Sequence, residues 1–260
     1  VYKKFIKELQ IDPASIKHIT EIPFLPVDFF KTQKIVTTDS HEKVFTSSAT
    51  TGSTPSSHFI HDLKTYERSF IEGFKLYYGN PEEYCILALL PGYLEREGSS
   101  LVYMADKLIK LSKNNKSGFY LNDFEKLAEV LRENEEEQFK TILLGVTFGL
   151  LDFVEYYQMK LKYTKVMETG GMKGRRKEMI REEVHHILKE RLGVSAIQSE
   201  YGMTELLSQA YSFGEGIYKT PPWMKVLSYD FYNPLQCTEY GKGGINIIDL
   251  ANIYSCAFIQ

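Results

Sequence analysis

The chain has 260 residues, 43% of them hydrophobic and 25% charged, with 31 Lys and Arg against 34 Asp and Glu. That is enough for one large domain or two modest ones in an ordinary globular composition, and it excludes a disordered tail, a collagen-like rod and a small disulfide scaffold. The net charge of −3 supplies no basic excess for neutralising a nucleic-acid backbone, so no nucleic-acid partner is expected.

Cys85, Cys237 and Cys256 are an odd set without a C-x-x-C pair, which argues against a disulfide framework or a zinc cluster and suits a reducing, cytoplasmic setting. The longest apolar runs, Cys85–Pro91 and Ile142–Val146, fall far short of the ~20 residues that cross a bilayer, so no transmembrane segment is expected. The chain does not begin with Met and shows no signal-peptide pattern; it reads as the ordered part of something longer.

In chain order, Val1–Gln10 presents Val1, Phe5, Ile6 and Leu9 on one helical face. The prolines of Ile22–Pro26 keep that stretch extended. Short strands are expected at Lys34–Thr38 and Lys43–Thr46, with a hydroxyl-rich loop over Thr46–Ser57. His61–Tyr78 repeats apolar residues at helical spacing. Strands follow at Glu83–Leu90, Gly118–Leu121, Phe139–Val146 and Tyr163–Glu168. Between them lie helices at Ser99–Leu111, from Asp123 to about Arg132, and at Phe148–Tyr157. The Glu133–Glu137 run reads as a solvated helix end. Lys177–Leu192 is a helix with Ile180, Val184, Ile187, Leu188 and Leu192 on one face and Gly193 as its stop. Val194–Ser199 reads as a strand and Tyr201–Ser208 as a turn into a short helix. The last 50 residues read as β-rich, with turns at Pro221-Pro222, Asn233-Pro234 and Gly241–Gly244. Alternating strands and helices in the middle predict an α/β sheet with crossovers.

The loop is the most unusual stretch: nine of the twelve residues from Thr46 to Ser57 carry a hydroxyl. As a linker it would simply be flexible. Placed between a strand and a strong helix, its backbone N–H groups and hydroxyls suit a polyphosphate, with Gly52 allowing close approach. It is not the G-x-x-x-x-G-K-[ST] loop, which does not occur here. His185 and His186 read as surface residues and His58 as a helix-start histidine near the loop. Leu144, Val146, Phe148 and Leu150 read as core, and the three cysteines as small buried hydrophobes.

Ser47-Ser48-Ala49-Thr50-Thr51-Gly52 resembles the Ser-Gly-Thr-Thr-Gly phosphate loop of adenylate-forming enzymes, the acyl-CoA synthetase and luciferase superfamily. In the same order follow Glu168-Thr169-Gly170-Gly171, similar to the turn that flanks adenine there, and Tyr201-Gly202-Met203-Thr204-Glu205, a full match to aromatic-Gly-x-Thr-Glu. Leu90–Arg96 with Ser99–Leu101, and Gly171–Arg176, resemble the narrower acyl-protein synthetase branch of LuxE type.

The resemblance implies an α/β fold: the N-terminal large domain of an adenylate-forming enzyme, with mixed sheets flanked by helices and a β-rich C-terminal portion. Residues 1–215 would be the adenylation core and 216–260 the β-rich end of the same domain. It implies an ATP-dependent, Mg²⁺-assisted acid–thiol ligase that converts a carboxylic acid, here a fatty acid, to an acyl-adenylate and passes the acyl group to a thiol of an acceptor protein or of CoA. Ser48, Thr50, Thr51 and Gly52 would cradle the β- and γ-phosphates. Gly170, Gly171, Tyr201 and Gly202 would bound the adenine. Thr204 would bond the α-phosphate, and Glu205 would hold the metal, with Thr204 and Glu205 as the catalytic pair. Gly145 and Gly149 would leave room for an acyl chain.

Ala49 stands where the family's loop usually has Gly, and Ser56 where many members have Lys. The family also continues past a segment like Asp249–Gln260 into an acidic ribose-binding motif and a small mobile domain with a catalytic Lys. This sequence stops before both, so the small domain is expected to be missing from it and activity to be incomplete in this stretch alone. Alternatives are an aryl- or acyl-CoA ligase similar to phenylacetate-CoA ligase, and a noncatalytic nucleotide- or acyl-binding protein on the same scaffold.

Overall fold

A computed structural model describes residues 1–48, 54–90, 98–170 and 179–260. In chain order its elements are α1 (Tyr2–Glu8), α2 (Phe29–Thr32), β1 (Lys43–Thr46), β2 (Ser57–Ile60), α3 (Leu63–Tyr78), β3 (Cys85–Leu89), α4 (Ser100–Ser112), β4 (Gly118–Phe119), α5 (Phe124–Glu136), β5 (Thr141–Val146), α6 (Thr147–Tyr156), β6 (Thr164–Thr169), α7 (Arg181–Leu192), β7 (Gln198–Tyr201), β8 (Ala210–Ser212), β9 (Tyr218–Lys219), β10 (Met224–Asp230), β11 (Asn233–Thr238), β12 (Gly244–Asp249) and β13 (Phe258–Ile259). They fall into two compact units. The first comprises Val1–Phe70, Gly202–Ser208 and Thr220–Gln260; the second comprises Ile71–Tyr201 and Gln209–Lys219.

The second unit is built on a sheet of order β4-β3-β5-β6-β7-β8-β9. Strands β3 to β7 are parallel neighbours, while β8 and β9 add an antiparallel edge. β3 (CILAL) and β5 (TILLGV) are buried at every position, as expected of central parallel strands covered on both faces. The crossovers are α4, α5, α6 and α7. Ser99 caps α4 by accepting from the Val102 N–H (3.3 Å), and Asp123 caps α5 by accepting from Lys126 (3.2 Å). Gly193 ends α7 with φ +64°, where a Cβ would meet the Lys160 backbone at 3.0 Å.

The first unit contains the antiparallel β1–β2 hairpin and a second antiparallel sheet of order β11-β10-β12-β13. Phe24, Leu227 and Ile248 form an apolar cluster beneath that sheet, joined by Ile19, Ile22 and Phe258. Phe45 on β1 is buried edge-on against Tyr66, at 5.3 Å between ring centroids.

Several expectations change. Lys34–Thr38 is not a strand: it runs irregularly, with Thr37 N–H bonded to Tyr254 O and the Thr38 hydroxyl turned back to Ser40 O. α7 begins at Arg181, which leaves Ile180 as its N-cap and 63% exposed rather than on the apolar face. The strand expected at Val194–Ser199 lies later, at β7. Residues 202–208 form turns rather than a short helix. Asn233-Pro234 opens β11 instead of making a turn. Pro is tolerated there because β11 is an edge strand, where a missing N–H leaves no ladder bond unmade. His185 is buried rather than on the surface, and His58 lies buried on β2 rather than at a helix start.

Candidate active site

In the first unit the hydroxyl-rich loop is the tip of the β1–β2 hairpin. The ladder runs from Lys43↔Ile60 to Thr46↔Ser57. Above it the mouth is closed by Ser47 N–H to Ser56 O (3.0 Å) and Ser56 N–H to Ser47 Oγ (2.9 Å). Ser56 is buried in this closure, so its side of the loop serves the hairpin itself. Ser48 is exposed just past β1. Ala49, Thr50, Thr51 and Gly52 lie outside the described residues, as do Pro91–Arg96 and Gly171–Arg176.

The hairpin is tied to the Gly202–Ser208 segment by His58. Its Nδ1–H donates to the Thr204 carbonyl (2.8 Å), and its Nε2 pairs with Ser255 Oγ (2.9 Å). With both nitrogens used and the ring edge-on to Phe30, burial pushes the imidazole pKa down to about 4. It is therefore a neutral strut, not a phosphate ligand.

Two further side chains hold the same segment. Asn252 Nδ2 donates to Glu205 O (2.8 Å) and to Cys256 O (3.2 Å). The buried Asp249 carboxylate accepts from Leu207 N–H (2.8 Å), Ser208 N–H (3.0 Å), Ser208 Oγ (2.6 Å) and Ala251 N–H (3.0 Å). Burial pushes the Asp249 carboxyl above its usual range, and these bonds oppose that rise. Polar side chains thus fix an irregular backbone that no helix or sheet would hold.

The Thr204 hydroxyl and the Glu205 carboxylate are left over. Among the described residues neither makes a side-chain hydrogen bond or ion pair, yet Glu205 is only 5% exposed. A carboxylate left without a partner among the described residues is available to a hard cation, and a cation shared with phosphate oxygens is the chemistry that suits it. Among the described residues there is no cluster of three or more His, Cys, Asp or Glu that would hold a metal by protein ligands alone.

In the second unit the carboxyl ends of parallel strands come together. Thr169 pairs with Glu200 across β6 and β7, so Gly170 (φ +71°) and Tyr201 follow at adjacent strand ends. Strand order reverses direction at β3, and the carboxyl edge of such a sheet is where open α/β folds bind ligands. Tyr201 lies 6.0 Å from the Tyr218 ring, nearly edge-on.

Behind this edge sit two carboxylates, Glu200 buried and Glu168 partly buried. Glu168 accepts from Thr147 Oγ1 (2.6 Å), His185 Nε2 (3.2 Å) and Ser199 Oγ (3.4 Å). Burial alone would raise its carboxyl; His185, Thr147 and the nearby Arg181 charge outweigh that and hold it low. Glu200 accepts from Thr169 Oγ1 (2.5 Å), and full burial pushes it up to about 7.

Gly145, expected to leave acyl room, is instead filled from within: a Cβ there would lie 2.6 Å from Leu150. The roles of His58, Asn252, Asp249, His185 and Glu200 were not evident from sequence. Each acts through a contact far along the chain, and no local spacing signals it.

No protein-family model matches this sequence, and no curated protein matches it. Among solved structures, the mixed α/β fold matches that of the N-terminal domain of adenylate-forming enzymes. One match is the O-succinylbenzoate coenzyme A synthetase MenE of Bacillus subtilis, in complex with ATP and magnesium ion. It has a TM-score of 0.54 and 15% identity, over 86% of this chain and 44% of that one. Another is the amide bond synthetase McbA of Marinactinospora thermotolerans, with a TM-score of 0.52 and 14% identity over 84% of this chain and 44% of that one. The chain therefore spans less than half the length of either enzyme. No helix among the described residues is long and apolar enough to cross a membrane.

Proposed function

We propose that the protein is an ATP-dependent acid-activating ligase of the adenylate-forming kind. The observation that carries this reading is Glu205: a residue only 5% exposed whose carboxylate has no hydrogen-bond or ion-pair partner among the described residues, on a backbone clamped by His58, Asn252 and Asp249, and tied through His58 to the hairpin of the hydroxyl-rich loop. In the reaction a carboxylate oxygen of the acid attacks the α-phosphorus of ATP. The bond from that phosphorus to the bridging oxygen breaks, and pyrophosphate leaves. Mg²⁺ would offset phosphate charge in this step. Ser48, Thr50, Thr51 and Gly52 would bind the β- and γ-phosphates, Thr204 would donate to the α-phosphate, and Glu205 would hold the metal. Gly170, Gly171, Tyr201 and Gly202 bound the adenine, with Tyr201 against the ring.

In the second step a thiol sulfur attacks the acyl carbon, AMP leaves and the thiol proton is released. Burial pushes the Cys85 thiol up and that of Cys256 up to about 11, so neither is a reactive thiolate near neutrality. The acceptor is therefore a thiol other than these, on a protein in the LuxE-type reading or on CoA. The acid is a fatty acid by resemblance to that branch, and the setting is cytoplasmic.

Acid-dependent exchange of pyrophosphate into ATP, measured on the full-length protein with acids of graded length, tests the reading. Exchange with at least one acid is expected; ATP and Mg²⁺ binding without exchange for any acid would favour a noncatalytic scaffold. Product analysis with and without CoA separates the two acceptors.

A further inference from the structure

The second unit carries a cavity that the proposed reaction does not use. It has a volume of about 360 Å³ and lies between the later turns of α7, the 195–197 approach to β7 and the tip of the β8–β9 hairpin. That volume is at the small end of small-molecule sites, roughly 300–1,000 Å³.

Its lining has two characters. Ile197, Phe213 and Ile217 give it apolar walls, and Phe213 and Ile217 remain 37% and 68% exposed. Lys189 and Lys219 give it charge. Neither lysine pairs with a carboxylate among the described residues, and Lys219 Nζ stands 5.6 Å from the centroid of the Phe213 ring. Glu215 is the carboxylate in the lining, so the two lysines leave a surplus of one positive charge.

The hairpin tip is held in an uncommon shape. Gly214, Glu215 and Gly216 have φ of +148°, +57° and +70°, and Glu215 is a side-chain-bearing residue in the left-handed region. Ser212 Oγ fixes the turn by donating to Gly214 O (2.9 Å). Conformations of this kind persist where the surroundings enforce them, and they concentrate at ligand-binding segments. His185 also lines the cavity. Its Nε2 is paired with Glu168 at 3.2 Å.

We propose that this cavity binds a small organic anion, with its carboxylate or phosphate head between Lys189 and Lys219 and its apolar body against Phe213 and Ile197. The site shares no residue with the phosphate loop or with Thr204 and Glu205, so it stands or falls separately from the proposed reaction.

Titration of the full-length protein with phenyl phosphate and with octanoate, followed by calorimetry or by NMR shifts, tests it. Phenyl phosphate is not a carboxylic acid and so separates this cavity from an acid-substrate site. Saturable binding of at least one probe at millimolar concentration or below is expected, with octanol much weaker. The Lys189→Glu/Lys219→Glu variant is expected to weaken binding at least tenfold, and Phe213→Ala several-fold. Because both lysines are exposed, these changes should leave folding intact. If the charge-reversed chain proves unstable, Lys189→Gln/Lys219→Gln provides the same reading with a smaller loss. Absence of saturable binding, equal binding of octanol, or binding unchanged in the lysine variants would each overturn the proposal.

Discussion

The Gly202–Ser208 segment and the carboxyl ends of β6 and β7 are both rich in buried polar groups, but they are held in opposite ways. At the strand ends the backbone is fixed by the parallel ladder, and the carboxylates of Glu168 and Glu200 are spent on hydroxyls and an imidazole behind it. At 202–208 there is no ladder. His58, Asn252 and Asp249 hold backbone atoms directly, while among the described residues the segment's own Thr204 and Glu205 side chains have no partner. Regular structure frees the backbone from needing side chains; irregular structure uses neighbouring side chains so that its own stay available for chemistry.

The sharpest way to break this contrast is at Glu205. Glu205→Gln keeps the size and removes the charge. If the carboxylate is reserved for a metal, Mg²⁺-dependent pyrophosphate exchange should fall by about 100-fold or more, in the range seen when a transition-state electrostatic contact is lost. Thermal stability should hold, because among the described residues the Glu205 side chain makes no hydrogen bond or ion pair that the change would break. Loss of stability with exchange intact would show that Glu205 serves the fold.

Asp249 tests the other half. Asp249→Ala strands the Leu207 and Ser208 N–H groups, and buried donors without partners cost about 1–3 kcal/mol each, so a loss of about 4 kcal/mol is expected in urea unfolding. Asp249→Asn should lose less. A loss under 1 kcal/mol for Ala would mean that water replaces the carboxylate and that the clamp is dispensable.

The two regions should also respond to pH with opposite signs. His58 is depressed from 6.5 to about 4 in the folded chain. Between those values the unfolded chain binds the extra proton, so stability falls as pH drops from 6.5 towards 4, by on the order of 3 kcal/mol in total. Glu200 is raised from 4.5 to about 7. There the folded chain binds the extra proton, so stability falls as pH rises from 4.5 to 7, by a similar order of magnitude. Differences from wild type isolate each slope: His58→Asn should remove the acid-side loss, and Glu200→Gln the loss towards neutrality. A Glu200→Gln difference that is flat from pH 4.5 to 8 would show that Thr169 and the surrounding sheet let the carboxyl ionise normally.

The same contrast explains what was legible in the sequence. β3 and β5 announce themselves as unbroken apolar runs, α4 and α5 begin at their Ser99 and Asp123 caps, and α7 stops at Gly193. Those signals are local. Tyr201–Glu205 was legible as a motif, but its conformation was not: a helix was expected where turns are found. What decides it is His58, 146 residues earlier, and Asn252, 47 residues later. His185 was misread because α7 has a weakly segregated face, and only the fold shows that Glu168 lies beneath it.

The smallest expected effect lies near the carboxyl end of β5 in the regular region. Gly145 is there because Leu150, itself fully buried, occupies the space a side chain would need. Gly145→Ala places a methyl 2.6 Å from Leu150 Cγ and Cδ2, at the branch of the side chain rather than only at its flexible end. Overpacking of this kind costs about 1–3 kcal/mol, so a loss near 2 kcal/mol is expected. Leu150→Ala alone opens a cavity and should cost about 2–5 kcal/mol. Together the changes should cost less than their sum, because the new methyl enters the space that Leu150 vacates, and a double-mutant cycle in urea reads that coupling directly. Full additivity would mean that the two positions do not share one space. The room for an acyl chain that the sequence suggested at Gly145 would then be open again.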